Sequence, residues 1–205
     1  MERVIAYVDG FNLYFGLREA KLKRYYWLDV SLLAKNLLKP QQHLVATHYF
    51  TARIQDTGNN GPDRKRQNDY LEALTLVGVS CHFGHYLQKT QRCHKCGASW
   101  PYYEEKMTDV NIATQMLLDA CDDLFDVALI VSGDSDLSTP IQRVRSRFPN
   151  KRVIVAFPPG RSSEQLKKHA SGYLHIGKDK LRKSQLPDRL TKPDGHVLVR
   201  PSTWR

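Results

Sequence analysis

Long apolar runs are missing. No stretch of the 205 residues approaches the roughly 20 apolar residues that cross a bilayer. The first apolar stretch, Val4 to Val8, is too short for a secretory leader and runs straight into Asp9. No membrane partner and a cytoplasmic location are therefore expected. Internal repeats are missing too, which excludes solenoids and propellers. Cysteine is sparse: Cys81, Cys93, Cys96 and Cys121 are too few for a disulfide scaffold and are expected to be reduced or metal-bound. Acidic residues thin out toward the end. Residues 151–205 carry 13 Lys+Arg against 4 Asp+Glu, whereas residues 1–150 carry 18 against 17. The net charge of +10 thus sits almost wholly in the last quarter. Such a basic flank suits a polyphosphate partner, or simply solubilises a tail.

What is present reads as a globular domain, with 41% hydrophobic and 25% charged residues. Short runs rich in Val, Ile, Tyr and Phe predict strands over 3–8, 43–53, 79–88, 127–131, 152–157 and 173–176. Helical spacing predicts helices over 12–21, 30–38, 63–77, 108–121, 137–147 and 162–170. Alternating strands and helices imply an α/β fold: a Rossmann-type parallel sheet with helices on both faces. The expected organisation is one domain over 1–177, interrupted by a small cysteine-containing insertion at about 89–103. A basic, partly disordered extension over 178–205 follows, with a short strand at 196–200.

Three acidic motifs fall where such a sheet binds ligands, outside the carboxyl ends of its strands. Asp9-Gly10-Phe11-Asn12 follows the first strand, and Ser132-Gly133-Asp134-Ser135-Asp136 follows the strand 127–131. Glu105-Lys106-Met107-Thr108-Asp109 leads into a helix. Taken singly, each has an ordinary use as a turn, a helix cap or a first-turn carboxylate. Taken together, Asp9, Asp109, Asp134 and Asp136 would repel one another unless a cation lay between them. Carboxylate oxygens suit Mg²⁺ or Mn²⁺, as one or two ions. Asn12, Ser132 and Lys106 could position phosphate or water.

These three motifs, in this order, resemble those of NYN-domain proteins, the LabA-like group of PIN-like nucleases. The resemblance covers roughly 3–176. It implies a PIN-like sheet and a metal-dependent ribonuclease, with Asp9, Asn12, Asp109, Asp134 and Asp136 as catalytic residues. The same Asp9, Asp109, Asp134 and Asp136 would hold the metal. The expected reaction is in-line attack of a metal-activated water on single-stranded or flexible RNA, leaving a 5′-phosphate and a 3′-hydroxyl. One departure stands out: family members often have Gly where this chain has Met107-Thr108. Two other readings stay open. One is a non-catalytic RNA-binding or regulatory module. The other is a phosphohydrolase using Asp9 as nucleophile, although Phe11 stands where such enzymes place a second carboxylate.

Cys93-His94-Lys95-Cys96-Gly97 has the spacing of half a zinc site. Strand alternation offers Cys81 and His85 as further ligands for a structural Zn²⁺. Basic groups for RNA are Arg64-Lys65-Arg66, together with Arg161, Lys167 and Lys168 near a strand end. A homodimer is among the assemblies this reading allows.

Overall fold

The computed structural model describes residues 1–204, with the side chains of residue 88 and residues 101–105 left out of the description. In chain order the elements are β1 (Glu2–Asp9), α1 (Gly10–Glu19), α2 (Val30–Leu37), β2 (Gln42–Ala52), α3 (Gly61–Leu76), β3 (Ser80–Arg92) and β4 (Ser99–Lys106). There follow α4 (Thr108–Cys121), β5 (Val127–Val131), α5 (Ser138–Arg147), β6 (Arg152–Phe157), α6 (Glu164–His169) and β7 (Gly172–His175). Last come α7 (Lys178–Lys183), β8 (Arg189–Thr191) and β9 (Val197–Val199). No described helix is long and apolar enough to cross a membrane.

The main sheet has the order β4-β3-β2-β1-β5-β6-β7. β3, β2, β1, β5, β6 and β7 run parallel, and β4 is antiparallel on the outer edge of β3. The fold class expected from the alternation is the one observed.

Alternation along β1 divides the core into two layers. Val4, Ala6 and Val8 face Leu13 and Leu17 of α1, Leu33 of α2 and Leu71 and Leu74 of α3. Ile5 and Tyr7 face Ile112 and Met116 of α4, Ile141 and Val144 of α5 and Leu166 of α6. β5 is buried along its whole length, as its unbroken Val-Ala-Leu-Ile-Val run requires. Each fully buried Val, Leu or Ile contributes about 1.5–3 kcal/mol, so both faces are needed. The local signals are ordinary ones. Asp29 caps α2 by accepting from Leu32 N at 2.8 Å, and Gly78, at φ 84°, ends α3 with a turn that a side chain would resist.

Two expectations are corrected. The cysteine-bearing stretch is not a separate insertion. β3 runs on to Arg92, the chain turns through Cys93–Ala98, and β4 returns along it from Arg92↔Ser99 to His85↔Lys106. Nor is the extension disordered over its described residues, 178–204. Leu181, Leu186 and Leu198 are buried in the α1–α2–α3 layer, and the Trp27 indole donates to Pro187 O at 2.8 Å. Trp204 packs against Trp27 and Tyr26. These apolar anchors are scattered among Lys and Arg, so their burial comes from tertiary contacts rather than any local period. The short strand expected near the end is present as β9.

Candidate active site

Strand order reverses beside β1: β2 lies on one side and β5 on the other. That reversal opens a crevice at the carboxyl ends of β1 and β5. Val8 pairs with Val131, so Asp9 and Ser132, each one residue further on, emerge at one level. Asp9 is buried, at 3% exposure. Its Oδ1 accepts from Asn12 N at 3.0 Å, capping α1, and its Oδ2 accepts from Ser132 Oγ at 2.8 Å. Ser132 Oγ in turn accepts from Asp134 N at 3.0 Å, while Asn12 Oδ1 accepts from Gly133 N at 2.8 Å. These bonds tie the first and third motifs into one unit. Asp134 then caps the 3₁₀ turn Ser135–Leu137, its Oδ1 accepting from Asp136 N at 3.0 Å.

Two glycines permit this close approach. A Cβ on Gly10 would stand 2.6 Å from the Tyr49 ring and 2.7 Å from Phe50 O. A Cβ on Gly133 would stand 2.9 Å from Arg161 Cβ and 3.4 Å from Asn12 Oδ1. Burial, the dominant cause, pushes the Tyr49 phenol well above its ordinary range, with the Cys81 thiol and the Asp9 carboxylate adding to the shift.

The second motif reaches the same edge by another route. Lys106 pairs in register with His85, one residue beyond the last β2–β3 pair, Ala52↔Gly84. α4 therefore starts at the carboxyl edge of the sheet, and it packs on β1, β2, β3 and the 135–137 turn. Asp109 lies in its first turn, half-buried. Lys106 is half-buried as well. The Glu105 side chain of this motif lies outside the described residues.

The expected cage of four carboxylates is not preformed. Among the described residues, no three Asp, Glu, His or Cys side chains come close enough to hold one ion. Asp136 is exposed. What the crevice does offer is Asp9 and Asp134 with the neutral oxygens of Ser132 and Asn12. This donor set fits Mg²⁺ or Mn²⁺, which take hard oxygens, and Mg²⁺ in particular keeps several waters beside one or two carboxylates.

The four-ligand zinc site does not fit. Cys81 lies near the start of β3 and Cys93 just past its end at Arg92, so a rise of about 3.3 Å per residue separates them by up to roughly 40 Å. On the same scale His85 is about 26 Å from Cys93. Cys81 instead packs on the apolar core. At the hairpin tip, backbone N–H groups of Cys96 and Lys95 hold the Cys93 thiol below its ordinary pKa. None of the four cysteines is in a disulfide.

The basic residues divide. Arg64, Lys65 and Arg66 pair with Asp56, Asp69 and Asp63 on or near their own helix. Lys167 pairs with Glu164 and lies over Phe157 and Tyr173, and Lys168 is exposed on α6. Arg161 is different: it lies against Gly133 and Gly16, pairs with Glu19 at 2.6 Å, and its buried Nε has no hydrogen-bond partner.

Sequence reasoning missed a cleft of about 890 Å³ beginning at Gly10 and Phe11 and walled by α1, α3 and Trp204. The signal was present in α1. Phe11, Tyr14, Phe15 and Arg18 repeat at i, i+3, i+4 and i+7 on the face opposite Leu13 and Leu17.

Comparisons with known proteins agree with the fold. The curated 6-hydroxy-3-succinoylpyridine 3-monooxygenase HspA of Pseudomonas putida is 24% identical, over 98% of this chain and 75% of that protein. A crystal structure of VPA0982 from Vibrio parahaemolyticus, a protein of unknown function, superposes with a TM-score of 0.59 at 24% identity, covering 87% of this chain and 94% of that one. The NYN domain model matches residues 3–177, a span that contains all three acidic motifs. The chain belongs to the NYN domain family, a PIN-like and generally nuclease-like group.

Proposed function

We propose that the protein is a metal-dependent ribonuclease that hydrolyses phosphodiester bonds in single-stranded or flexible RNA. The observation that carries this reading is the bonded unit Asp9–Ser132–Asp134 with Asn12, placed at the reversal of strand order in a family that is generally nuclease-like. A Mg²⁺ or Mn²⁺ held by Asp9 and Asp134 would neutralise phosphate oxygens and acidify a water. The chain does the rest. The cap bond to Asn12 N and the Ser132 hydroxyl fix the Asp9 carboxylate in one orientation. Asn12 and Ser132 accept from Gly133 N and Asp134 N, which holds the backbone of Asp134 close to Asp9. Arg161, whose Cβ lies against Gly133 and whose guanidinium pairs with Glu19, would donate to a phosphate oxygen in this reading. Asp109, in the first turn of α4 on the same edge, would supply a further carboxylate to an ion bound there. Water attacks in line with the leaving 3′ oxygen, giving a 5′-phosphate and a 3′-hydroxyl.

The test is cleavage of a defined RNA panel with Mg²⁺ and Mn²⁺ by wild-type protein and Asp9→Asn. Metal-dependent cleavage in the first and its loss in a folded second support the reading. Equal cleavage by both removes it.

A second reading has one observation behind it. The HspA relative is named for oxygenation of a pyridine compound, and the aromatic-lined cleft beside Asp9 could receive a small aromatic acid. Oxygen consumption with such compounds, without RNA cleavage, would favour it.

A further inference from the structure

The α1 stripe of Phe11, Tyr14, Phe15 and Arg18 faces away from the core. Tyr14 is 41% exposed and Phe15 39%. Aromatic rings grouped in the open on a helix whose other face is already buried call for a partner. Around them the rings form two sets. Tyr26 lies between Tyr14, at 5.0 Å, and Trp204, at 5.7 Å. Phe11 meets Tyr86 edge-to-face at 6.1 Å on the other side. The cleft between them is also charged: Arg18, Lys21, Lys23 and Arg66 line it against a single carboxylate, Asp63, which pairs with Arg66. Its floor begins at Gly10 and Phe11, next to Asp9 along the chain. Its far wall, Thr203 and Trp204, lies beyond the span 3–177 matched by the NYN domain.

Rings that accept a flat π-face, interleaved with cations and leading to a phosphodiester-cleaving edge, have the chemistry of single-stranded nucleic acid. Bases stack on the rings while phosphates meet Lys and Arg. A lone small aromatic acid would need one cation. A chain of nucleotides uses a row of them, and the cleft is near the upper limit of what one drug-sized ligand fills, about 1,000 Å³.

We propose that this cleft is a base-stacking subsite for the nucleotides flanking the cleaved bond. In it Phe11, Tyr14 and Tyr26 act as platforms, Arg18, Lys21 and Lys23 meet the phosphates, and the C-terminal Trp204 is the end wall. The inference rests on the ribonuclease reading for its substrate but not for its test. Duplex is refused because paired bases present no face to the rings, so the subsite selects single strands.

The experiment uses the full chain carrying Asp134→Asn, in Mg²⁺ buffer, with fluorescently labelled 10-nucleotide RNA. One RNA carries bases throughout, and the other is abasic at its central positions. Anisotropy should show the abasic RNA binding about tenfold more weakly or worse. Adding Tyr14→Ala should weaken the base-bearing RNA by about tenfold and leave the abasic one unchanged, and Tyr14→Phe should restore binding. Tyr14 is exposed, so both variants should fold. Equal binding of the two RNAs, or no effect of Tyr14→Ala, overturns the subsite. So does a pyridine carboxylate filling the cleft while neither RNA binds. Wild-type cleavage is read separately. Base dependence without any cleavage supports the subsite and removes the ribonuclease reading, whereas cleavage without base dependence does the reverse.

Discussion

Met107 sits at φ 81° just before α4, with no side-chain cap. The left-handed conformation costs an L-residue about 1–2 kcal/mol, a cost that glycine largely escapes. Met107→Gly should therefore raise stability by about 1 kcal/mol in urea unfolding; a loss would show that the Met side chain anchors the turn. Gly10 is the opposite case. Its hypothetical Cβ collides with a ring and a backbone oxygen that cannot step aside. Gly10→Ala should cost about 1–3 kcal/mol, and an unchanged unfolding midpoint would contradict the packing described. For catalysis, Asp134→Asn keeps the oxygen that caps the 135–137 turn. It should cut metal-dependent cleavage at least about 100-fold while the unfolding curve stays put. At this scale the sequence was readable for motif identity: Asp9, Asn12, Ser132 and Asp134 do come together. It was not readable for side-chain direction. Asp136 is exposed and Asp109 half-buried in the first turn of α4, because a position in the backbone leaves χ angles open.

At the level of elements, legibility followed burial pattern. β5 and α4 were found with their observed bounds, since one is an unbroken apolar run and the other has a full apolar stripe. β4 was missed. Its Pro101 and the polar residues of its hairpin carry no strand signal, and pairing with β3 holds it in place. The zinc expectation failed for a related reason: the strand was expected to end at 88 with an insertion from about 89, whereas β3 continues to Arg92 and separates the ligands. Two thiolates at a hairpin tip do not close a tetrahedral site. Cys93→Ser with Cys96→Ser should therefore leave the unfolding midpoint unchanged, and the purified chain should hold less than about one equivalent of tight zinc. A full equivalent lost with these two substitutions would overturn that. The segment 178–204 makes a contrary prediction to that of a disordered tail. Leu198→Ala should cost about 2–5 kcal/mol, measured by urea unfolding; a cost near zero would mean the segment is detached from the core.

At the scale of the whole molecule, a polar cluster lies on the α4 side of the sheet, around Tyr7. The Tyr7 hydroxyl donates to Asp119 Oδ2 at 2.6 Å, and Gln115 donates to Oδ1 at 2.8 Å. His48 lies 3.7 Å from the same carboxylate and 2.9 Å from His82, ring nitrogen to ring nitrogen. Burial is the main cause that holds both histidines below their ordinary pKa, against the pull of Asp119. The sign follows from linkage. Above about pH 6.5 both histidines are neutral in folded and unfolded chains, and they add no pH slope. Below it the unfolded chain takes up protons first, so stability falls as pH drops from about 6.5 toward the depressed folded values. Urea midpoints between pH 8 and pH 5 should decline in that window, and His48→Gln with His82→Gln should flatten the decline.

The charge distribution seen in the sequence also resolves at this scale. The basic last quarter folds back on the domain rather than trailing from it, and its Trp204 closes the aromatic cleft that starts at the acidic edge. In the proposed reading, catalysis and substrate seating would meet along α1, which begins with the Asp9 cap and ends in Arg18 and Glu19.

The central claim is that Asp9 and Asp134 serve phosphodiester hydrolysis. End-group analysis of a defined single-stranded RNA incubated with wild-type protein tests it most directly, with Mg²⁺ or Mn²⁺, with chelator, and with the Asp134→Asn variant in place of wild type. The account predicts products with 5′-phosphate and 3′-hydroxyl ends that vanish on chelation and in the variant. Intact RNA throughout, or the same products from Asp134→Asn, would contradict it.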